Sequence, residues 1–224
     1  MTTELHVLRV FVGPDGAYGN PLGVFLDGSA IAPDRRQAVA TELGFSETVF
    51  VDNRATGRIQ ILTPDGEMAF AGHPTVGTAW LLAETGSPVP ALQIPAGEVP
   101  TWVEDGRRWV RARPGWIHRI TVAELATPAD VDALTGPPSG DDSYYPWAWQ
   151  DRSAGAIRSR YFASGFGITE DEATGAAAVL ITGQLGVPLE IHQGRGSRLT
   201  TRLGPDGTVD LGGRVVLDGV RSFG

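Results

Sequence analysis

Short stretches of alternating apolar and polar residues cover most of the chain and predict β-strands. Examples are LHVLRVFV (5–12), GRIQILTP (57–64) and SRLTTRL (197–203). Apolar residues recur at helical spacing in a second type of segment, which predicts helices over 32–44, 73–86, 127–136 and 172–186. Strands and helices do not alternate regularly, so the pattern predicts an α+β fold and not a doubly wound sheet.

Two of the helical stretches resemble one another. TVGTAWLLAETG and ATGAAAVLITGQLG each open with small residues, continue with an apolar body and end at a glycine. We interpret this similarity as a weak internal duplication, which predicts two similar lobes that face each other across a cleft. The predicted lobes are 1–113, joined by the last strand (about 212–224), and 114–211, with the boundary at the RPGW break.

Turn residues separate the predicted elements. Asp105-Gly106 predicts a hairpin turn, and Thr127 is a plausible N-cap for the third helix. The segment PPSGDDSYYP (137–146) is interpreted as a surface loop because it is rich in proline and polar residues.

The composition excludes several kinds of partner and several chemistries. A net charge of −8 and a pI near 5.0 argue against a nucleic-acid partner, and no apolar run is long enough to cross a membrane. The first residues lack the pattern of a signal peptide, so we expect a cytoplasmic protein. The sequence has no cysteine and no lysine, which excludes thiol catalysis, a lysine Schiff base and a pyridoxal-phosphate anchor.

The four histidines do not predict a metal site. His6, His118 and His192 share no metal-ligand spacing, and we expect no bound metal. The remaining one, His73, lies between glycines at the predicted start of an apolar helix. Spaced glycines near residue 16 do not form the strand–GxGxxG–helix arrangement of a dinucleotide site, and we expect no cofactor.

Four motifs occur together in order: GNPLGVF (19–25), GFSETVFV (44–51), FAGHPTVGTA (70–79) and GITEDEATGAAA (167–178). In this order and spacing the chain resembles the PhzF-like family, named for a phenazine-biosynthesis isomerase, essentially from end to end. The resemblance implies the diaminopimelate-epimerase fold: two lobes, each a strongly bent, mostly antiparallel sheet around a central helix, with the active site in the interlobe cleft. It also implies a homodimer.

The resemblance assigns roles to individual residues. It implies that Glu47 of the SET motif is the acid–base residue, assisted by His73 and Asp171. The start of a helix offers free N–H groups and a partial positive charge, so two facing helix starts would hold a substrate carboxylate. The expected substrate-binding residues are Asn20, Ser46, Gly72, Thr75, Thr174, Gly175 and Ala176.

Plainer interpretations stay open for some of these residues. Glu47 could be a solvent-facing residue at the edge of a strand, Asp171 could cap a helix, and Asn20 could belong to an Asn-Pro turn. The chain also departs from the family at two positions, with Glu172 in place of proline and Ala176 in place of serine. Both departures argue against transferring a phenazine-type substrate.

Three functions remain compatible with the sequence. The first is a cofactor-independent isomerase that moves a proton between carbons of a small carboxylate-bearing metabolite. The second is a non-catalytic carboxylate-binding or accessory protein that kept the fold. The third is a lyase or hydrolase that uses the same carboxylate.

Overall fold

The structure is a computed structural model that describes residues 2–117, 120–138 and 140–224, without the side chain of Phe166. His118, one of the histidines considered for a metal, lies outside the described residues. Fifteen strands within this part form one continuous, mostly antiparallel sheet. The strands are β1 (Thr3–Val10), β2 (Asn20–Phe25), β3 (Thr48–Asn53), β4 (Arg58–Thr63), β5 (Gly66–Glu67), β6 (Ala91–Ile94), β7 (Gly97–Glu104), β8 (Arg107–Ala112), β9 (Thr121–Glu124), β10 (Tyr144–Asp151), β11 (Ala156–Ser159), β12 (Leu189–Gln193), β13 (Ser197–Leu203), β14 (Val209–Gly213) and β15 (Val215–Phe223).

The strand order shows how the two halves of the chain join. From one edge the order is β15-β1-β2-β3-β4-β6-β7-β8-β14-β13-β12-β11-β10-β9, and β5 pairs with β4. Four neighbouring pairs are parallel: β2 with β3, β4 with β6, β9 with β10, and β11 with β12. The last strand returns to the start of the chain, because β15 runs antiparallel to β1. The division into two lobes stays a prediction.

Four α-helices pack against this sheet in the described part: α1 (Pro33–Leu43), α2 (Gly72–Glu84), α3 (Pro128–Asp132) and α4 (Gly175–Leu185). Helices α1 and α4 end at Gly44 and Gly186, which adopt the left-handed conformation that glycine allows. Helix α3 begins with a capping box, in which Thr127 and Asp130 satisfy each other's backbone N–H groups.

Helices α2 and α4 form the centre of the molecule. The first eight residues of α2 and the first five of α4 are all buried. Helix α2 packs mainly on β8, β1 and β2, α4 packs on β13 and β14, and the two helices also contact each other. The main hydrophobic core extends around both of them and includes Leu8, Val110, Ile191 and Leu211.

Most of the predicted elements are confirmed, and their boundaries show where the pattern was ambiguous. The predicted hairpin is present, with positive φ at both Asp105 and Gly106 between β7 and β8. The predicted helix over 127–136 is shorter and spans only Pro128–Asp132.

The prediction of a surface loop over 137–146 is wrong at its end. Tyr144, Tyr145 and Pro146 belong to β10 and are buried. Tyr145 is fully buried, and its hydroxyl donates to Ser159 Oγ at 2.8 Å. Pro146 lacks an N–H group, but its carbonyl still accepts a hydrogen bond from Arg160 N at 3.1 Å.

Candidate active site

The N-termini of α2 and α4 meet at a pair of glycines. A Cβ added to Gly72 would lie 2.5 Å from Gly175 Cα, and one added to Gly175 would lie 2.7 Å from Gly72 Cα. No side chain larger than hydrogen fits between the two backbones at this contact. Neither helix has an N-cap side-chain hydrogen bond or an acidic residue in its first turn. Both helices therefore bring first-turn amide groups to the same place.

Glu47 lies beside this contact, immediately before β3. Its Oε2 is 3.4 Å from His73 Nε2, and the two side chains are only 13% and 3% exposed. Neither of these two atoms makes a hydrogen bond within the described part of the chain. Glu47 is therefore buried beside the first turn of α2, and the structure does not place it as a solvent-facing edge residue.

Asn20 connects β2 to the segment before α4. Its Nδ2 donates to Asp171 Oδ1 at 2.7 Å and to Ala173 O at 2.9 Å, and it lies 3.3 Å from His73 Nδ1. Because an amide has two hydrogens, the two short bonds use both of them. Both amide hydrogens of Asn20 therefore hold the site together.

Asp171 is held from two sides. Besides the bond from Asn20, its Oδ2 accepts a short hydrogen bond from Thr174 Oγ1. Gln193 of β12 completes the cluster: its Nε2 donates to Asp171 O at 3.0 Å and to Thr174 Oγ1 at 2.9 Å, and its Oε1 accepts from Thr174 N at 3.2 Å. Gln193 is buried and was missed by the sequence analysis, because nothing in LEIHQG distinguishes it from an ordinary strand residue.

Burial shifts the pKa values of the three titratable groups in a direction suited to proton transfer. Loss of solvation raises the pKa of Glu47 to about 7. Burial, together with the nearby Glu47 charge, raises the pKa of Asp171 to about 6. Burial also lowers the pKa of His73 to about 4. Near pH 7 His73 is therefore neutral, whereas Glu47 is close to the midpoint of its titration.

The buried side chains surround a small space, which we call the inner cavity, with a volume of about 30 Å³. Its lining residues are Glu47, Thr63, Met68, Ala71, Gly72, His73, Tyr161, Ala163, Ile168, Asp171, Thr174, Gly175 and Ala176. This volume holds about two water molecules. Burial raises the pKa of Tyr161 to about 12, so its phenol is neutral at physiological pH.

A larger open space, the outer cleft, lies next to the inner cavity. It measures about 640 Å³ and includes Asn20, Ser46, Phe45, Glu170 and Glu172 in its lining. Ile168 and Asp171 line both spaces and so lie between them. The apolar members of the two linings, such as Met68 and Ile168, were missed by the sequence analysis because isolated apolar residues in loops carry no signal of their own.

The structure brings together most of the predicted site residues. Gly72, Thr174, Gly175 and Ala176 line the inner cavity, and Asn20 and Ser46 line the outer cleft. Thr75 lines neither space, and its hydroxyl donates to Ala71 O and Gly72 O within its own helix. A substrate contact for Thr75 therefore has no support in the structure.

Glu172, one of the two departures from the family pattern, is turned toward β13. Its Oε1 accepts from Ser197 Oγ at 2.9 Å and from the Arg195 amide at 3.0 Å. The Glu172 carboxylate therefore already has hydrogen-bond partners, and Glu172 does not line the inner cavity. The described residues contain no group of three or more His, Asp or Glu arranged to hold a metal ion, and none of their helices is long and apolar enough to cross a membrane.

Solved structures with the same architecture cover the whole chain. A PhzF-family phenazine biosynthesis protein from Bacillus anthracis matches 100% of this chain and 99% of its own, with a TM-score of 0.79 at 20% sequence identity. A hydroxyproline epimerase from Agrobacterium vitis matches 99% of this chain and 92% of its own, with a TM-score of 0.66 at 13% identity. These structures confirm the predicted fold.

Sequence comparisons identify the family. The family model described as phenazine biosynthesis-like protein matches residues 13–112. A trans-2,3-dihydro-3-hydroxyanthranilate isomerase from Pseudomonas aeruginosa is 32% identical over 216 aligned positions, and the match covers 79% of this chain and 75% of the relative. An uncharacterised isomerase from Mesorhizobium japonicum is 56% identical over 88 residues, which cover 38% of this chain and 29% of the relative.

Together, the fold and these relatives show that the protein is an isomerase with a sheet-rich α+β fold. The chain belongs to the phenazine biosynthesis-like, or PhzF-like, family, and the resemblance stated from its four motifs is confirmed.

Proposed function

We propose that this protein is a cofactor-independent isomerase in which Glu47 moves a proton between two carbons of a small carboxylate-bearing metabolite. The observation that carries the proposal is the buried Glu47–His73 contact of 3.4 Å at the N-termini of α2 and α4. A carboxyl group whose pKa lies near neutrality both accepts and returns a proton at physiological pH.

The proposed reaction needs one acid–base group and a place for developing negative charge. The Glu47 carboxylate removes a proton from one substrate carbon, and the electron pair of that C–H bond moves into the substrate's adjacent π system. The negative charge is stabilised by amide N–H groups at the helix starts, including those of Gly175 and Ala176. The Glu47 carboxyl then returns the proton to a different carbon, so the mass of the substrate is unchanged.

In this proposal His73 and Asp171 assist Glu47. We assign the proton of neutral His73 to Nδ1, because both Asn20 amide hydrogens are already bound, so that Asn20 does not donate to this nitrogen. The lone pair of Nε2 then lies 3.4 Å from Glu47 Oε2; the two atoms share no hydrogen bond in this structure, and a small rotation of the protonated carboxyl would let it donate to Nε2. Asp171 orients this arrangement through Asn20 and Thr174.

The substrate is proposed only as a class. One relative is named for trans-2,3-dihydro-3-hydroxyanthranilate, and we propose this compound as the first probe. Ala176 provides no hydroxyl at the start of α4, so small carboxylic acids of other shapes belong in the same panel. Homodimer formation and a cytoplasmic location are further parts of the proposal, which light scattering and cell fractionation test.

The experiment that tests the proposal is hydrogen exchange in deuterated water. The protein is incubated with each compound of the panel, and mass spectrometry follows the incorporation of deuterium and the mass of the product. Glu47→Gln is expected to reduce exchange by about 100-fold or more, the usual range for loss of a general acid–base group. Glu42→Gln, an exposed substitution on α1, serves as the matched control and is expected to leave exchange unchanged.

The alternatives give different results in the same experiment. Equal exchange by the parent protein and Glu47→Gln contradicts the role of Glu47. A product of changed mass indicates a lyase or hydrolase. The non-catalytic alternative is favoured by the small volume of the inner cavity, about 30 Å³, which requires the site to open for a substrate. That alternative predicts carboxylates that raise the melting temperature without exchange.

A further inference from the structure

A second cavity, which we call the arginine cavity, lies away from the proposed active site. It measures about 220 Å³, and its lining includes Arg107, Glu190, His192, Arg198 and Arg214. None of its lining residues lines the inner cavity or the outer cleft. Side chains of adjacent residues point to opposite faces of a strand, so His192 and the active-site residue Gln193 lie on different sides of β12.

Three arginines line this cavity without a close carboxylate partner among the described residues, although the charge of Glu190 acts on Arg198, and the exposed Arg214 donates through Nη1 to Pro14 O at 3.1 Å. Elsewhere in this acidic chain arginines are commonly paired, as Arg111 is with Asp210 and Arg202 is with Glu104. Within the described part of the chain, Arg107, Arg198 and Arg214 form no ion pair with a carboxylate.

The charge inside the arginine cavity is positive overall. Among the described residues of its lining Glu190 is the one carboxylate, and its Oε2 accepts a hydrogen bond from Thr200 Oγ1 at 2.9 Å. The lining therefore contains three arginines and a single acid among its described residues. His192 lies opposite Arg198 on the neighbouring strand, and burial, followed by the charges of Arg198 and Arg158, lowers the pKa of His192 to about 4.

We propose that the arginine cavity binds a small dianion of the phosphate class, either inorganic phosphate or the phosphate group of a small metabolite. Guanidinium groups match the geometry of phosphate oxygens and form paired, charge-assisted hydrogen bonds with them. The volume suits a small ligand and lies below the usual range for drug-sized molecules. A nucleic acid is disfavoured because the chain carries a net charge of −8.

Calorimetric titration with inorganic phosphate and with methyl phosphate tests this proposal and distinguishes the two sources of the anion. Arg198→Gln is expected to weaken binding by about tenfold or more, since hydrogen bonds between charged groups are among the strongest in proteins. Arg35→Gln removes the same charge from an exposed position on α1 and is expected to leave the affinity unchanged. Circular dichroism of both variants checks that they are folded.

A second readout places the anion in the cavity. A bound dianion offsets the field of the arginines, so the pKa of His192 is expected to rise, and NMR titration of its ring measures the change. The proposal is overturned if phosphate and methyl phosphate both fail to bind below about 10 mM, or if Arg198→Gln and Arg35→Gln bind equally well. Binding is measured without any isomerase substrate, so the result is independent of the proposed function.

Discussion

Helices α2 and α4 are alike in sequence and in burial, and each begins with a glycine that touches the other helix. Their first turns differ in the groups they carry. In α2 the glycine is followed by His73 and by Pro74, which has no N–H group. In α4 the glycine is followed by Ala176 and Ala177, so all three positions keep an amide N–H.

This difference divides the site into two parts. The start of α2 carries a titratable ring beside Glu47, whereas the start of α4 offers one more amide donor and no titratable side chain. Asp171, just before α4, accepts hydrogen bonds from Asn20 and Thr174, which fix its position. The comparison teaches that similar buried helices can separate two tasks: we infer that α2 supports proton transfer and α4 binds the carboxylate.

The largest expected effect on catalysis comes from a substitution at the start of α2. His73→Gln removes the ring nitrogen that faces Glu47 and is expected to lower kcat about 100-fold with a smaller change in KM. Thr174→Val, on the side of α4, removes a hydrogen bond to Asp171 and is expected to change KM more than kcat. Steady-state kinetics on a compound that exchanges deuterium measures both parameters. Equal effects of the two variants on kcat would contradict the division of tasks.

Stability at different pH values tests the cost of burying Glu47. The pKa of Glu47 is about 7 in the folded protein and 4.5 as its ordinary value, so between these pH values the folded chain holds a proton that the unfolded chain has released. Raising the pH through this window therefore destabilises the fold. Glu47→Gln is expected to be more stable than the parent at pH 8, by at most about 3 kcal/mol.

Urea unfolding of the parent, Glu47→Gln and Glu42→Gln measures this difference. The gain from Glu47→Gln is expected to disappear below pH 4.5, where Glu47 is protonated in both states. The lowered pKa of His73 acts in the opposite direction, with stability lost as the pH falls from 6.5 toward 4, but it is present in all three proteins. A constant difference at every pH would show that burial does not raise the pKa of Glu47.

The contact between the two helix starts is sensitive to added volume. Gly72→Ala places a Cβ 2.5 Å from Gly175 Cα and 2.9 Å from Ala176 N, which are backbone atoms that cannot rotate away. We expect a loss of about 1–3 kcal/mol in the free energy of unfolding. Gly136→Ala is the matched control, because no atom lies within 4 Å of its added Cβ. Thermal unfolding of both variants checks the contact, and equal stability would show that the helices can separate at no cost.

The smallest expected effect is on carboxylate binding and concerns Ala176, the position at the start of α4 where the chain departs from the family pattern. Ala176→Ser adds a hydroxyl at the edge of the inner cavity and is expected to lower the Kd of a bound carboxylate about threefold to tenfold. Ala38→Ser on the exposed face of α1 should leave the Kd unchanged. Calorimetry with a carboxylate from the exchange panel measures the change. Weaker binding by Ala176→Ser would indicate that this position needs space and not a donor.

The pattern of hydrophobic and polar residues was sufficient to predict most of the strands and helices. Turn residues such as Asp105 and Gly106 act locally, so their position in the sequence predicts the hairpin. Glycine at 44 and 186 ends a helix for the same local reason. The pattern failed at Tyr145, because polar and proline-rich neighbours hid a strand whose aromatic rings are buried by distant residues.

The motifs predicted which residues form the candidate site but not how they are arranged. Glu47, His73 and Asp171 were named from the family resemblance, and the structure brings them together. Gln193 was not predicted because its contacts with Asp171 and Thr174 join residues about 20 positions apart. The orientation of Glu172 toward Ser197 likewise depends on the packing of β13.

The sequence by itself determined the family, the order of strands and helices, the absence of cysteine and lysine, and the identity of the candidate acid–base groups. These properties depend on residue type and on local spacing. Only the tertiary structure decided that Glu47 is buried, that the two helix starts touch at Gly72 and Gly175, and that three arginines line one cavity. The physical reason is that solvation and charge coupling depend on distances between residues far apart in the chain, and these distances are set only when the sheet and both helices pack together.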